Sequence, residues 1–402
     1  VDQIYFYKVV PQNQEGVTGN FSEIALTPFP AKVSGIRTTC QNSKCVQLGW
    51  NESRYARQYI IYRKKGNSSY IKIGQTNQKT YRDKKVTWGK RYYYKIIAVN
   101  ENGEEGEAGT KTYYPSQVVK VSRQKYSYSQ MSRDMKKLAD LYSDYCTVSS
   151  VGKSVQGRNI YDIAIGNPKA KKSMLVVCTL HAREYICSVV AMRQVEYYLR
   201  HYEGKISGVR PKNVLNQMQI HYIIMANPDG IMRSQTKNAR WKSNARGVDL
   251  NRNFPAHPFK AGGKRGREGY SGSKAFSEPE SRALAKCTKN LKRKQGLVGV
   301  VNYHAMGQII FGRCSRRSIA KDTRKMYQIA KSLTGYRSSA GYKAATPASG
   351  GGYRDYVMDH VKVASITIEM GTTSAPCSYW EYNSAFAKNR AVVIKIANAL
   401  KN

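Results

Sequence analysis

An α/β fold with a mixed, mostly parallel sheet covered by helices on both faces, preceded by an all-β sandwich, is what this 402-residue sequence predicts. Three observations predict it. Strand-like apolar runs alternate with helical stretches over the C-terminal part of the chain. Short β-type runs separated by polar turns fill the region before them. A segment near the start, Tyr5-Phe-Tyr-Lys-Val-Val-Pro-Gln-Asn-Gln-Glu-Gly16, recurs as Tyr92-Tyr-Tyr-Lys-Ile-Ile-Ala-Val-Asn-Glu-Asn-Gly103, an internal repeat with aromatic, Lys, aliphatic pair, Asn and Gly in register.

In chain order, the β-type runs are Cys45 to Trp50, Gln58 to Arg63, Tyr70 to Ile73 and Tyr92 to Val99, with turns at Gly66, Asn67 and Gly89. Their spacing predicts a sandwich of roughly 90 residues. A polar linker with Pro115 follows. Beyond it, strands are predicted at Ile160 to Ile165, Met174 to Thr179, Gln219 to Met225, Leu297 to Tyr303 and Ser365 to Ile368. Helices are predicted at Met131 to Tyr142, Tyr185 to His201, Glu278 to Leu291, Ala320 to Leu333 and Ser384 to Leu400. Strands that are apolar nearly throughout and separated by helices belong to a sheet buried on both sides. Ligands gather beyond the carboxyl ends of such strands, where His181, Asn227, His304 and Glu369 fall.

Composition bounds the partners. With 41% hydrophobic and 11% aromatic residues and no low-complexity tract, the chain is a folded protein too long for one ordinary core. Lys and Arg outnumber Asp and Glu by 67 to 26, a formal net charge of +41. The basic residues are scattered rather than gathered, which argues against a specific nucleic-acid groove and for attraction to polyanionic surroundings such as an anionic cell-wall polymer. No apolar run reaches the ~18 residues of a membrane-spanning helix. No signal peptide is visible, and a processed or truncated start before Val1 would hide one. Of eight cysteines, Cys178 and Cys187 lie in apolar segments as expected buried thiols. Cys40 and Cys45 would close a small loop in an oxidising environment.

The all-β region resembles a fibronectin type III module. Trp50 ends its second strand, Tyr59-Ile-Ile-Tyr-Arg63 forms the third, Tyr81-Arg-Asp83 precedes the aromatic strand, and Asn100-Glu-Asn-Gly103 makes the following turn. The resemblance implies a C-terminal remnant of a preceding module at 1–26 and a module at 27–112; a linker at 113–123 and a second domain at 124–402 follow. The chain would then be a fragment of a longer protein with tandem modules.

Candidate chemistry begins at His181-Ala-Arg-Glu184, directly after the run Met174-Leu-Val-Val-Cys-Thr-Leu180. A histidine and a carboxylate leave a strand end together, and His304 follows a second run, Leu297-Val-Gly-Val-Val-Asn-Tyr303. Two His and one Glu form a common catalytic zinc shell with a position left for water. By itself the tetrapeptide reads equally well as a strand-end His beside a helix-start Glu.

Further along stand Arg240-Trp-Lys-Ser-Asn244, Gly247-Val-Asp-Leu-Asn-Arg-Asn-Phe-Pro255 and Ser365-Ile-Thr-Ile-Glu-Met-Gly371. With the tetrapeptide, these resemble the zinc metallocarboxypeptidase family typified by carboxypeptidase A, over about residues 124 to 402. The resemblance implies one Zn2+ held by His181, Glu184 and His304, and Glu369 as general base. Asn251 and Arg252 would bind the substrate's terminal carboxylate, a task suited to the planar guanidinium fork. Arg183 would line the cleft, and Asp249 would orient a zinc-bound imidazole.

Two positions depart from the family. Lys242 stands where the oxyanion-stabilising arginine is expected, so that Lys242 or Arg240 would take its role or the electrophile would be weaker. Thr346, in Thr346-Pro-Ala-Ser-Gly-Gly351, replaces the mobile tyrosine that closes over substrate. Gly352-Tyr353-Arg354-Asp355-Tyr356 falls where the family places its side-chain pocket, so Tyr353 and Arg354 are expected substrate contacts, with Arg354 favouring an acidic group. These departures resemble the bacterial γ-D-glutamyl-diamino acid peptidases. They imply a secreted or cell-surface bacterial enzyme that cuts peptidoglycan stem peptides. A general carboxypeptidase, a zinc amidohydrolase of small N-acyl amino acids and a non-catalytic surface-binding protein remain the alternatives.

Overall fold

The structure, a computed structural model, describes residues 5–42, 44–87, 90–121, 125–255, 259, 261–339, 351–372 and 374–401. It comprises two compact units, Val1–Ser116 and Gln117–Asn402.

In the first unit β1 (Tyr5–Val9) and β2 (Ser22–Leu26) form an antiparallel ribbon. A three-stranded antiparallel sheet contains β3 (Arg37–Asn42), β4 (Cys45–Gly49) and β7 (Thr80–Asp83). A four-stranded one has the order β6 (Ile71–Thr76), β5 (Gln58–Lys65), β8 (Tyr92–Val99), β9 (Gly109–Tyr113). Alternation at period two sends Tyr92, Tyr94, Ile96 and Ala98 of β8 into a core with Leu48, Trp50 and Ile61, as a half-buried sheet requires. The unit is all-β, in agreement with the sequence. Cys45 is a buried free thiol, and the side chain of Cys40 lies outside the described residues.

The second unit holds an eight-stranded mixed sheet. Its strands are β10 (Cys146–Lys153), β11 (Asn159–Gly166), β12 (Lys172–Cys178), β13 (Met218–Ile223), β14 (Leu297–Ala305), β15 (Ile309–Phe311), β16 (Arg337–Ser338) and β17 (Ala364–Met370). They lie in the order β10-β11-β13-β12-β14-β17-β15-β16. The four inner strands β13, β12, β14 and β17 run parallel, and β11 and β15 join them antiparallel. Leu175, Val177 and Val300 pack on one face with Leu284 of the helix Pro279–Gln295. On the other face a Cβ at Gly299 would meet Leu400 and Met326 at 3.0 and 3.2 Å, so glycine there lets two helices sit close against β14.

Three features differ from the sequence reading. The edge strand β10 and the short β15 and β16 were not predicted. Residues read as one C-terminal helix form two, Tyr382–Asn389 and Val392–Leu400. The middle of the segment read as a polar linker is anchored: the N–H groups of Val118 and Val119 donate to the two oxygens of buried Glu196 at 2.8 and 3.0 Å. No helix among the described residues is long and apolar enough to cross a membrane.

Candidate zinc centre and substrate cavity

Four loops at the carboxyl ends of the parallel strands build one cavity. After β12, Thr179 takes a left-handed φ of 60°, an uncommon conformation for a β-branched residue. Its hydroxyl is held 2.7 Å from that of Ser188. The chain then turns within His181–Glu184, where the Glu184 N–H donates to the His181 carbonyl at 3.1 Å and the Ala182 N–H to the Lys242 carbonyl at 2.8 Å. That tight loop aims both side chains inward. Asn227 caps the helix Pro228–Thr236, and its Nδ2 donates to the carbonyls of Leu180 and Ser243 at 3.1 Å each. It braces the loop that carries His181.

His304 arrives from β14, in register with Glu369 on β17. The Glu184 carboxylate lies 2.7 Å from His181 Nδ1 and 2.9 Å from His304 Nδ1, and it accepts the Ala305 N–H at 3.1 Å. The two Nδ1 atoms are 3.2 Å apart. All three side chains are buried, and their ligand atoms lie within 4.8 Å of one another. Lone pairs from two imidazoles and a carboxylate converge with no side-chain cation among them. This nitrogen and oxygen donor set fits zinc.

The charges around the group reinforce it. Burial works to raise the Glu184 carboxyl, but His181 and His304 overcome it and hold the group well below the usual carboxylate range. Asp249 is similar: burial opposes its charge, and His181, Lys242 and Arg252 keep it ionised. Its Oδ1 is 3.2 Å from His181 Nε2 and accepts the Asn251 N–H at 3.0 Å. Its Oδ2 is 3.3 Å from Lys242 Nζ.

Glu369 faces the cavity and differs from both. It accepts no hydrogen bond from the described residues. Desolvation pushes its carboxyl up to about 8; His304 and Lys242 pull it down, and the Glu184 charge adds to the rise.

The cavity has a volume of about 840 Å³, within the range of small-molecule sites. His181, Glu184 and Glu369 line it together with Arg183, Arg240, Lys242, Asn251, Arg252 and Arg354. Asn251 and Arg252 lie on the short turn Leu250–Arg252 capped by Asp249. Asn251 Oδ1 accepts the Tyr353 N–H at 2.9 Å, which ties this turn to the loop bearing Arg354. Arg354 Nη2 is 3.3 Å from Asp355 Oδ1, and Arg183 Nη2 is 2.5 Å from Glu268 Oε1.

Tyr353 corrects an expectation. Its side chain is fully buried, with its hydroxyl 2.6 Å from Thr288 Oγ1 and its ring packed against Phe254, so it anchors the loop from behind and does not line the cavity. Thr346 lies outside the described residues.

Sequence reasoning missed Phe311 and Thr367 as lining residues, while Asp355 belongs to the stretch Gly352–Tyr356 that it placed at the pocket. Thr367 was within reach: it stands two positions before Glu369 on β17, and period two puts both on one face. Phe311 sits on a three-residue strand that left no pattern to read.

Residues 131–389 match the zinc carboxypeptidase family, Peptidase_M14, and the chain belongs to it. Zinc is the metal of that family. Among curated relatives, the γ-D-glutamyl-L-diamino acid endopeptidase 1 of Lysinibacillus sphaericus is 25% identical over 290 residues, 66% of this chain and 70% of that protein. Carboxypeptidase O of Bos taurus is 26% identical over 262 residues, 59% of this chain and 67% of that protein. The fold is shared with the crystal structure of thrombin activatable fibrinolysis inhibitor, at a TM-score of 0.59 and 22% identity, covering 71% of this chain and 77% of the other.

Proposed function

We propose that the chain is a zinc-dependent peptidase that hydrolyses a peptide bond near a free carboxyl terminus, with peptidoglycan stem peptides as substrate and the bond between γ-D-glutamate and the diamino acid as target. The observation that carries this reading is the convergence of the His181–Glu184–His304 donor set at a cavity lined by His181, Glu184, Arg252, Arg354 and Glu369, the last without a hydrogen-bond partner among the described residues.

His181, Glu184 and His304 would hold the metal, with Asp249 orienting His181 from its far nitrogen. Zinc bound there supplies a Lewis acid that polarises a carbonyl and lowers the pKa of water toward ~7. Glu369 faces the same space and accepts no hydrogen bond from the described residues, so it accepts a proton from the attacking water and returns it to the departing amine. Arg252 holds the terminal carboxylate by its planar fork, with Asn251 beside it. Arg354 meets the side-chain carboxylate of a diamino acid such as diaminopimelate, and Asp355 at 3.3 Å moderates its charge. Lys242, tethered to Asp249, contributes positive field without a fork, while Arg240 lines the same cavity. Arg183 lines the cavity as a further substrate contact.

The similarity to the Lysinibacillus sphaericus endopeptidase supports the choice of bond. We place the enzyme in the secreted or surface-bound compartment of a bacterium, with the fibronectin type III-like unit as a spacer and the excess positive charge favouring anionic wall polymers. Retention of Asn251 and Arg252 in the cavity favours one second reading, a general carboxypeptidase. The two separate when the protein, with and without chelator, is offered L-Ala-γ-D-Glu-diaminopimelate and a panel of peptides varied at the C-terminus. Release of diaminopimelate supports the first reading; trimming of ordinary peptides alone would leave the class and overturn the substrate.

A further inference from the structure

The four-stranded sheet of the first unit carries a second surface that the peptidase reading does not use. Its strands β5, β6, β8 and β9 contain no Asp or Glu. Residues paired across antiparallel strands point to the same side. Tyr62 therefore shares a face with its partners Lys95 on β8 and Lys72 on β6, and Lys64 with its partner Tyr93. This is the face opposite the core residues Ile61, Tyr94 and Ile96.

Tyrosine and lysine alternate here and lock together. Lys95 Nζ sits 4.6 Å from the Tyr62 ring centre and 5.5 Å from that of Tyr70. Lys64 Nζ sits 5.0 Å from the Tyr93 ring and 5.1 Å from Tyr70. Cation–π contacts at this range hold flexible ammonium groups in place without neutralising them. The result is an array of fixed positive charges with phenol hydroxyls between them and no carboxylate in the strands.

Cross-strand pairing explains why such pairs stabilise a sheet, but it does not require the strands to be free of acids. The occupant must be anionic and rich in hydroxyl partners. Stacked nucleic-acid bases suit the face less well, since they need bare aromatic faces and these rings already carry ammonium groups. Lys72 and Lys95 flank Tyr62 on adjacent strands, which sets their backbones about 10 Å apart, an interval on the scale of a disaccharide. We infer that this face binds a linear acidic glycan, carboxylates on Lys64, Lys72 and Lys95 and sugar hydroxyls on the tyrosine hydroxyls. The inference stands independently of the bond that the second unit cuts, and it narrows the general attraction of a basic protein for polyanions to one face.

The test uses the full chain and measures affinity for hyaluronan, which alternates neutral and carboxylated sugars. Polyglutamate, polyglycerol phosphate and oligo(dT) serve as comparison polymers. Wild type should prefer hyaluronan, and K64Q/K95Q should lose about tenfold or more in affinity, equivalent to roughly 1.4 kcal/mol. K64R/K95R, which keeps charge and ring contact, should retain binding, and K72Q at an exposed position should reproduce part of the loss with folding intact. K169Q/K171Q removes the same charge from the second unit and should change affinity less than about twofold. Equal loss in K169Q/K171Q, absence of hyaluronan binding, or equal or tighter binding of any comparison polymer would overturn the inference. Peptidase activity on a small substrate should be the same in all variants.

Discussion

Each unit buries a carboxylate, and the two are treated in opposite ways. Asp83, in the first, is closed off: the Arg63 guanidinium reaches both of its oxygens at 2.9 Å, Tyr94 donates its hydroxyl at 2.8 Å, and the Lys85 N–H donates at 3.0 Å. Glu184, in the second, faces two imidazole nitrogens that are themselves 3.2 Å apart, and nearby Glu369 accepts nothing from the described residues. A fully satisfied buried charge contributes to folding. A converging set of lone pairs without a cation of its own is a site built for something that arrives.

The largest effect that sharpens this contrast is metal removal. Chelation, or His304→Ala, should abolish cleavage. It should also lower the melting temperature of the second unit, because a metal at a thousandfold its dissociation constant stabilises the folded state by about 4 kcal/mol. Calorimetry with and without zinc should leave the transition of the first unit where it was. Glu369→Gln comes next, with a loss of roughly a thousandfold in kcat while zinc content and melting temperature stay unchanged. A matching fall in stability would mean that Glu369 is a structural carboxylate like Asp83.

Asp83→Asn should do the reverse. It leaves half-buried Arg63 without its counter-charge, and denaturant titration should show the first unit weakened by about 3 kcal/mol while peptidase activity is kept. Arg354→Ala should reduce the preference for an acidic over a neutral C-terminal residue by about tenfold, seen in kcat/KM for paired peptides.

The smallest effect concerns a second closed pair, within the second unit. His221 has both ring nitrogens engaged, with Asp162 Oδ2 at 2.7 Å and Gln295 Oε1 at 2.9 Å. Burial works against its charge, but Asp162 and Gln295 prevail and its pKa is raised. A raised folded-state pKa gives stability that is complete below the ordinary imidazole range and is lost as pH rises through the raised value. The melting temperature of the second unit should therefore fall across that window, and His221→Gln should flatten the profile.

How much of this was legible in the sequence depended on burial. The inner strands β12, β13, β14 and β17 were readable because both of their faces are covered, which leaves long apolar runs ending at His181, Asn227, His304 and Glu369. The edge strand β10, Cys-Thr-Val-Ser-Ser-Val-Gly-Lys, is half polar, and β15 and β16 are too short to show a period. The repeat shows the limit most clearly. Tyr92 and Tyr94 are 2% and 0% exposed, whereas Tyr5 and Tyr7 in the matching positions are 43% and 51% exposed. The local sequences agree, but β8 pairs with β5 and β9 while β1, among the described residues, pairs with β2 alone. Tyr353 shows the same limit within the site: its place in the glycine-rich stretch pointed toward the pocket, and only packing against Phe254 and Thr288 shows that its ring turns the other way.

The most direct test of the central claim is to load wild type and Glu369→Gln equally with zinc and follow the product masses from L-Ala-γ-D-Glu-diaminopimelate. Wild type should release L-Ala-D-Glu and free diaminopimelate, and the variant should fall by about three orders of magnitude. An intact substrate with the zinc-loaded wild type, or equal release by both proteins, would contradict the account.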